Sequence, residues 1–237
     1  AKKIEVFTNS KELAKKMGNE GFNTVKDITW KSTITSLLCE KMDRDVKSIN
    51  INLRTDERKK ITVASSFPIY PPRGGGQVRI FNLYNHVAKN FYVEIVSLAN
   101  NGGHEIERRL SEDLVEIVIP KTIAQTDREA KYEKEVGIPV SDATLPLISY
   151  LTPRYGVRLR NSIKGSDIVI ASHPYLLHEI EKCKEPKSLI YEAQDIEYKL
   201  KRDAYKSKNK TTEKIIRLIY KIEKKACRKS KLIITCS

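Results

Sequence analysis

The sequence predicts an α/β protein built on a doubly wound parallel sheet, with a helical segment at its N-terminus. From Lys60 onward, short apolar runs rich in β-branched residues alternate with amphipathic segments. The first run is followed by a Pro-rich turn, three consecutive glycines and apolar residues at helical spacing. A strand, a glycine loop, a helix and a second strand form a βαβ unit, which requires a right-handed crossover and a parallel sheet.

The composition sets limits on the class of protein. The chain has 237 residues, of which 40% are hydrophobic, enough for one large or two small domains. The four cysteines form no C-x-x-C pair and have no histidine at metal-ligand spacing: Cys39, Cys183, Cys227 and Cys236. We therefore expect reduced thiols, a cytoplasmic protein and no metal site.

Residues 1–44 have the pattern of a helical segment. Asn9 or Ser10 is a candidate N-cap for a helix that starts at Lys11, and Gly18 and Gly21 are expected to end it. A second helix is predicted over 30–42. This segment is too small to hold a core by itself and must pack on something else.

Residues 45–59 are polar and charged, which predicts a linker, with a short strand over 49–53. The composition shifts at Lys60, so 60–237 is predicted to be the main domain. We expect strands at 61–66, 92–98, 114–119, 167–172, 188–192 and 231–236, and helices at 76–90, 146–164, 174–182, 195–206 and 211–229. The polar stretch 121–145 is predicted to be a long loop.

The loop after the first strand is a candidate binding site. Gly74, Gly75 and Gly76 have no Cβ, so backbone N–H groups can approach a ligand closely, and the next helix points its positive end at the same gap. This arrangement suits a phosphate or a sugar hydroxyl network. The spacing GGGQVR matches neither a dinucleotide fingerprint nor a Walker loop. The alternative is a turn that binds nothing.

Ligands of open α/β sheets bind at the carboxyl ends of the strands, and three segments reach that edge with polar residues. They are the glycine loop, residues 171–174 and residues 192–197. His173 is a candidate base or a ligand for an acceptor hydroxyl. His173 can equally be a neighbour of a helix N-cap with no chemistry, and Asp195 can equally be a simple N-cap.

The chain is strongly basic, with a formal net charge of +14. The stretch 199–231 holds 14 Lys and Arg residues against 3 acidic residues. Its last helix has a predicted buried stripe of Ile215, Leu218, Ile219, Ile222 and Ala226. The basic remainder fits an anionic membrane surface, nucleic acid or a phosphorylated substrate. A solvated lysine-rich face is the alternative.

Four motifs in order resemble the N-terminal domain of the group 1 GT-B glycosyltransferases, the glycosyltransferase family 4-like domain. They are PPRGGGQVRIFNL, SDIVIASHP, YEAQDIEYKLKRD and KKACRKSKLIITCS, and the resemblance covers 60–237. It implies a Rossmann-like domain that forms the N-terminal half of a GT-B fold. Gln194 stands where the family often has histidine. Residues 1–44 look like the closing segment of another such enzyme.

The resemblance also implies an activity, namely retaining transfer of a sugar from a nucleotide-sugar donor, without a further cofactor. The glycine loop and Arg79 would approach the donor, and His173 would be the catalytic residue. Gln194, Asp195 and Glu197 would position a sugar or lipid-linked acceptor. In this family the donor binds mostly a C-terminal domain, so the chain is expected to be an incomplete enzyme that is inactive alone.

A non-catalytic basic α/β module is the alternative function. Tyr198, Tyr205 and Tyr220 are scattered among the lysines without the order of a base-stacking platform, so no nucleic acid is expected. Attachment of the 199–231 region to the inner face of an anionic membrane is the remaining expectation for this surface.

Overall fold

The computed structural model describes residues 10–26, 58–183, 188–205 and 209–235. Contacts divide the chain into two units, Ala1–Ile51 and Asn52–Ser237. In the first unit, helix α1 spans Lys11–Val25, and the Ser10 hydroxyl caps it by accepting from the amide of Leu13 at 3.3 Å. The predicted helix at 30–42 and strand at 49–53 lie outside the described residues.

Helix α1 runs through both glycines that were expected to end it, so this prediction is wrong. A glycine inside a helix costs only about 1 kcal/mol relative to alanine. Gly18 and Gly21 therefore weaken the helix without stopping it.

The second unit is built on a mixed sheet with seven strands among the described residues. The strands are β1 (Lys60–Ser65), β2 (Tyr92–Ala99), β3 (Ile106–Ser111), β4 (Leu114–Pro120), β5 (Ile168–Ser172), β6 (Leu189–Ala193) and β7 (Leu232–Thr235). Their spatial order is β3-β4-β2-β1-β5-β6-β7, and only β3 runs antiparallel to its neighbour. From β1 the sheet extends in one direction through β2 and β4 and in the other direction through β5, β6 and β7. Strand β1 therefore pairs with both β2 and β5.

The helices of this unit are α2 (Gly75–Val87), α3 (Ile123–Val136), α4 (Leu145–Ile148), α5 (Pro153–Lys164), α6 (Leu177–Glu181), α7 (Glu197–Ala204) and α8 (Lys210–Lys229). Short 3-10 turns at Ser149–Leu151 and Pro174–Leu176 precede α5 and α6. Within the described part of the chain, no helix is both long and apolar enough to cross a bilayer.

The helices cover both faces of the sheet. One hydrophobic cluster joins buried residues of α3, α5 and α8 to alternate residues of the strands, among them Ala64, Val96, Ala171 and Tyr191. The buried side chains of α2 lie outside this cluster. A right-handed crossover from β1 to β2 places α2 on the opposite face, since the later crossovers travel the other way. The predicted doubly wound α/β sheet is confirmed.

The stretch 121–145 is not a long loop, so this prediction is wrong. Thr122 caps α3 by accepting from the amide of Gln125 at 3.2 Å, and Gly137 ends the helix at a φ of 87°. The buried positions of α3 include the polar residues Gln125 and Glu129, so the sequence shows no apolar pattern for its buried face. The buried Lys121 ammonium neutralises Glu129 at 2.9 Å.

Two other elements differ from the prediction. The single helix expected over 146–164 is interrupted, because Pro153 has no N–H to continue a helix and instead begins α5. The additional strand β3 lies at the sheet edge, and its sequence IERRLS alternates too weakly to be read as a strand.

Candidate functional site

A row of short polar side chains crosses the sheet near the carboxyl ends of the strands. Ser65 of β1 lies beside Ser97 of β2 and Ser172 of β5, and Ser172 lies beside Glu192 of β6. All four are fully buried. Partners in a parallel register share one face, and Glu192 contacts α2, so the row lies on the face that α2 covers. The switch from β1 to β5, where α/β folds bind ligands, falls in this row.

The side chain of Gln77 fixes the glycine loop above this row. Its Oε1 accepts from the amides of Arg73 and Gly74, each at 3.0 Å, and its Nε2 donates to the carbonyl of Pro68 at 2.7 Å. The loop is thereby tied to its own Pro-rich turn. A Cβ added at Gly75 would meet no atom within 4 Å, so the outer side of the loop faces open space.

The Pro-rich turn is also hydrogen-bonded to strands β3 and β4. The amide of Ile69 donates to Glu116 Oε1 at 2.7 Å, and Ser97 Oγ donates to the same oxygen at 3.0 Å. Burial raises the pKa of Glu116, and these two donors oppose the rise. Arg108 of β3 donates to the carbonyl of Tyr70 at 2.6 Å. The antiparallel edge strand therefore helps to hold the loop.

His173, directly after β5, has an unusual backbone conformation. Its φ is 82° and its ψ is 154°, and it is the one non-glycine residue with positive φ among those described. This region is almost exclusive to glycine, costs about 1–3 kcal/mol, and concentrates at functional sites. The imidazole packs against Phe67 and Tyr175, with ring centroids 5.5 Å and 6.1 Å away.

Gln194 connects the glycine loop to the strand end that carries His173. Its Nε2 donates to Ser172 Oγ at 3.2 Å, and its Oε1 lies 3.1 Å from where a Cβ on Gly76 would stand. The three segments that were expected to meet at this edge therefore do meet. A side chain at Gly76 would require Gln194 to shift, because its Oε1 occupies the neighbouring space.

Arg79 and Glu192 form a largely buried ion pair under the loop. Arg79 Nε lies 3.8 Å from Glu192 Oε1, and the Tyr84 hydroxyl donates to Glu192 Oε2 at 2.8 Å. Burial raises the pKa of Tyr84, and the adjacent carboxylate raises it further, so the phenol remains a donor. Arg79, on the helix that starts at the glycine loop, and Glu192 thus compensate each other's charge.

The other two predicted site residues, Asp195 and Glu197, lie in different surroundings. Asp195 is exposed, and α7 begins at Glu197 rather than after an aspartate cap. The carboxylate of Glu223 on α8 instead accepts from the amides of Glu197 and Tyr198, at 2.7 Å and 2.9 Å. Reading Asp195 as the N-cap is therefore wrong. Glu197 is 3% exposed and points toward His173, with Oε1 3.7 Å from Nε2.

The sequence analysis did not identify the residues that contact and position the site residues: Phe67, Gln77, Tyr84, Glu116 and Tyr175. Two of them had a usable signal. A glutamine at the third position of a helix is typical of a capping box, and a glutamate inside the apolar run LVEIVIP needs a buried partner. Over the described ranges, no three His, Cys, Asp or Glu side chains are grouped as metal ligands.

Comparison with solved structures gives weak similarity. No family model and no curated protein matches the chain. A solved structure described as trehalose-6-phosphate from E. coli bound with UDP-2-fluoro glucose is similar, with a TM-score of 0.37 and 14% sequence identity. The similarity covers 56% of this chain and 32% of that chain. The chain thus spans about a third of that structure's length, and the four sequence motifs remain the basis of the family resemblance.

Proposed function

We propose that this chain is the acceptor-binding half of a GT-B glycosyltransferase that transfers a sugar from a nucleotide-sugar donor with retention. The observation that carries the proposal is His173, held in a strained conformation at the switch point and linked through Ser172 and Gln194 to the glycine loop. The sequence motifs named above contribute both His173 and this loop. A strained backbone conformation such as that of His173 persists only where the surrounding contacts enforce it.

The roles follow from the surroundings of each group. The open side of the glycine loop accepts the donor phosphate or sugar, because backbone amides and the start of α2 favour an anion there. The Arg79 guanidinium, paired with Glu192, is on the helix that starts at this loop and is the candidate cation for the donor. His173 and Gln194 line the acceptor side, and buried Glu197 faces His173 Nε2 at 3.7 Å.

Transfer also requires the donor to be held against the acceptor, and that alignment supplies much of the barrier reduction. We expect the 237-residue chain alone to show no turnover, whereas a longer polypeptide with a second α/β domain transfers sugar. The measurement is radiolabelled transfer from a panel of nucleotide sugars to sugar and lipid-linked acceptors, with both proteins side by side. Turnover by the short chain would refute the two-domain assignment, and no transfer by any longer polypeptide would refute the transferase assignment.

A second candidate function, binding to an anionic membrane surface, is favoured by one specific cavity. An open depression of about 450 Å³ lies along α8, with Leu147 and Leu218 among the residues that line it. Four cations surround it, Lys210, Lys214, Arg217 and Lys221, against a single acid, Glu213. Arg217 pairs with Glu213 at 3.6 Å, and farther along α8 Lys225 and Lys229 share the single carboxylate of Glu181 at 2.6 Å. The proposed membrane-binding surface is this cavity, because apolar and basic side chains line it together.

The membrane candidate predicts a loss of vesicle binding from charge reversal at the cavity. Changing Lys214, Arg217 and Lys221 to glutamate should weaken binding to phosphatidylglycerol vesicles by more than 100-fold, since each basic residue contributes about 1 kcal/mol. Sedimentation with vesicles at two salt concentrations measures it.

The matched control for the vesicle test reverses three exposed lysines at the opposite edge of the sheet, Lys59, Lys89 and Lys164. Equal losses in the two triple variants would indicate only net charge and contradict a local membrane site. Binding to duplex RNA that exceeds binding to vesicles would instead favour a nucleic-acid module.

A further inference from the structure

The carboxylate of Glu197 lies between a phenol and an imidazole in the interior of the protein. The Tyr175 hydroxyl donates to Oε2 at 2.5 Å, and His173 Nε2 lies 3.7 Å from Oε1. Glu197 is 3% exposed and His173 is 7% exposed. Because a buried charge is costly unless it is paired, the protonation states of these two side chains depend on each other.

The other imidazole nitrogen is already committed. His173 Nδ1 lies 2.8 Å from the carbonyl oxygen of Ser172. A carbonyl oxygen can only accept, so Nδ1 carries a proton and donates it. Nε2 is therefore the nitrogen that gains or loses a proton, and it is the nitrogen that faces Glu197.

We propose that Glu197, oriented by Tyr175, is a positioning residue for His173, and that Glu197 and His173 hold a single proton between them. Through this proton Glu197 fixes the state in which the imidazole meets the acceptor. The role at an acceptor rests on the proposed transferase function, whereas the shared proton follows from the contacts alone.

The surrounding groups support sharing rather than separate titration. Burial lowers the pKa of His173, and burial raises the pKa of Glu197 to about 7 although the Tyr175 bond opposes the rise. Each group alone therefore favours its neutral form, while a proton moved from Glu197 to Nε2 creates an attractive ion pair. Other titratable or charged groups face the pair as well: Asp142, Tyr191, Glu192, Asp195, Lys201, Tyr205 and Glu223. Lys201 and Asp142 are bonded to each other at 3.0 Å, so their effects largely cancel.

The test is nitrogen NMR of the imidazoles in the 237-residue chain, which has four histidines. His173→Gln identifies the relevant signals. In the unaltered chain the midpoint at which His173 Nε2 titrates is the reference for the variants; burial lowers the pKa of His173, and an ionised Glu197 opposes this effect. Glu197→Gln should lower this midpoint by at least one unit, a tenfold loss of proton affinity.

Tyr175→Phe provides a second variant that keeps the carboxyl group. Without the phenol, Glu197 becomes more basic and competes for the shared proton, so the His173 midpoint should fall in the same direction. Glu179→Gln is the matched control, because Glu179 Oε1 lies 3.1 Å from His178 Nε2. The control should move the His178 signals and leave those of His173 unchanged.

An unmoved His173 midpoint in both Glu197→Gln and Tyr175→Phe, with folded spectra, overturns the proposal. Movement in both supports it whether or not any transfer is detected, so a failed transferase assignment is distinguishable. Where transfer by a longer polypeptide is measurable, Glu197→Gln should shift the pH profile of kcat and leave the donor KM within twofold. A uniform loss at every pH would contradict the positioning role.

Discussion

Replacing Glu192 with alanine should lower the free energy of unfolding by about 3–5 kcal/mol, the usual result of removing one partner from a buried ion pair. Glu192 is fully buried, accepts from the Tyr84 hydroxyl and lies 3.8 Å from Arg79. The variant leaves a phenol without an acceptor and a guanidinium without its counter-charge, while water has little access to either. Urea unfolding followed by circular dichroism measures the change at constant m-value.

Two further variants separate charge from packing at this pair. Tyr84→Phe removes one bond to a charged acceptor and should cost about 1.5–3 kcal/mol. The double variant Arg79→Met with Glu192→Leu removes both charges and should cost less than Glu192→Ala alone. A loss below about 1 kcal/mol in Glu192→Ala, or a double variant worse than the single one, would contradict a compensated buried pair.

The fold was predictable because β-branched runs and amphipathic helices have clear periods. The α8 stripe shows this, since Ile215, Ile219 and Ala226 are buried as expected. The other two predicted stripe residues, Leu218 and Ile222, are only half-buried. Element order then fixes topology, because parallel strands require right-handed crossovers.

The wrong loop prediction for 121–145 has a different physical cause. Helix α3 buries polar residues, Gln125 and Glu129, and Lys121 makes this possible by neutralising the carboxylate. Such pairing is invisible to hydrophobic patterning, because a buried charge reads as a solvated one until its partner is known.

The site was only partly predictable for the same reason. Strand ends and glycines indicate which edge of the sheet to consider, and the sequence predicted that His173, Gln194 and the loop lie together there, as the structure shows. Whether a side chain at that edge faces the ligand or the interior depends on tertiary partners such as Tyr175 and Glu223, which lie 22 and 26 residues from Glu197. Asp195 and Glu197 are two residues apart, yet the first is exposed and the second is buried.

Gly75→Val tests the glycine loop with a change that the fold can accommodate. A Cβ at Gly75 meets no atom within 4 Å, whereas a Cβ at Gly76 would approach Gln194 Oε1 to 3.1 Å. The valine therefore extends into the open space where the proposed donor would approach the backbone. It should leave the thermal midpoint nearly unchanged and still block that approach.

We expect Gly75→Val to reduce transfer by a two-domain polypeptide at least 100-fold, equivalent to about 2.7 kcal/mol of lost transition-state stabilisation. The measurement is the radiolabelled transfer assay beside a thermal melt of each variant. Gly165→Val is the matched control, since Gly165 also has open space but follows α5 at the opposite edge of the sheet. Full activity in Gly75→Val would reduce the loop to a turn. A loss in Gly165→Val of similar size would mean that the valine acts through the fold, because Gly165 is remote from any ligand at the carboxyl edge.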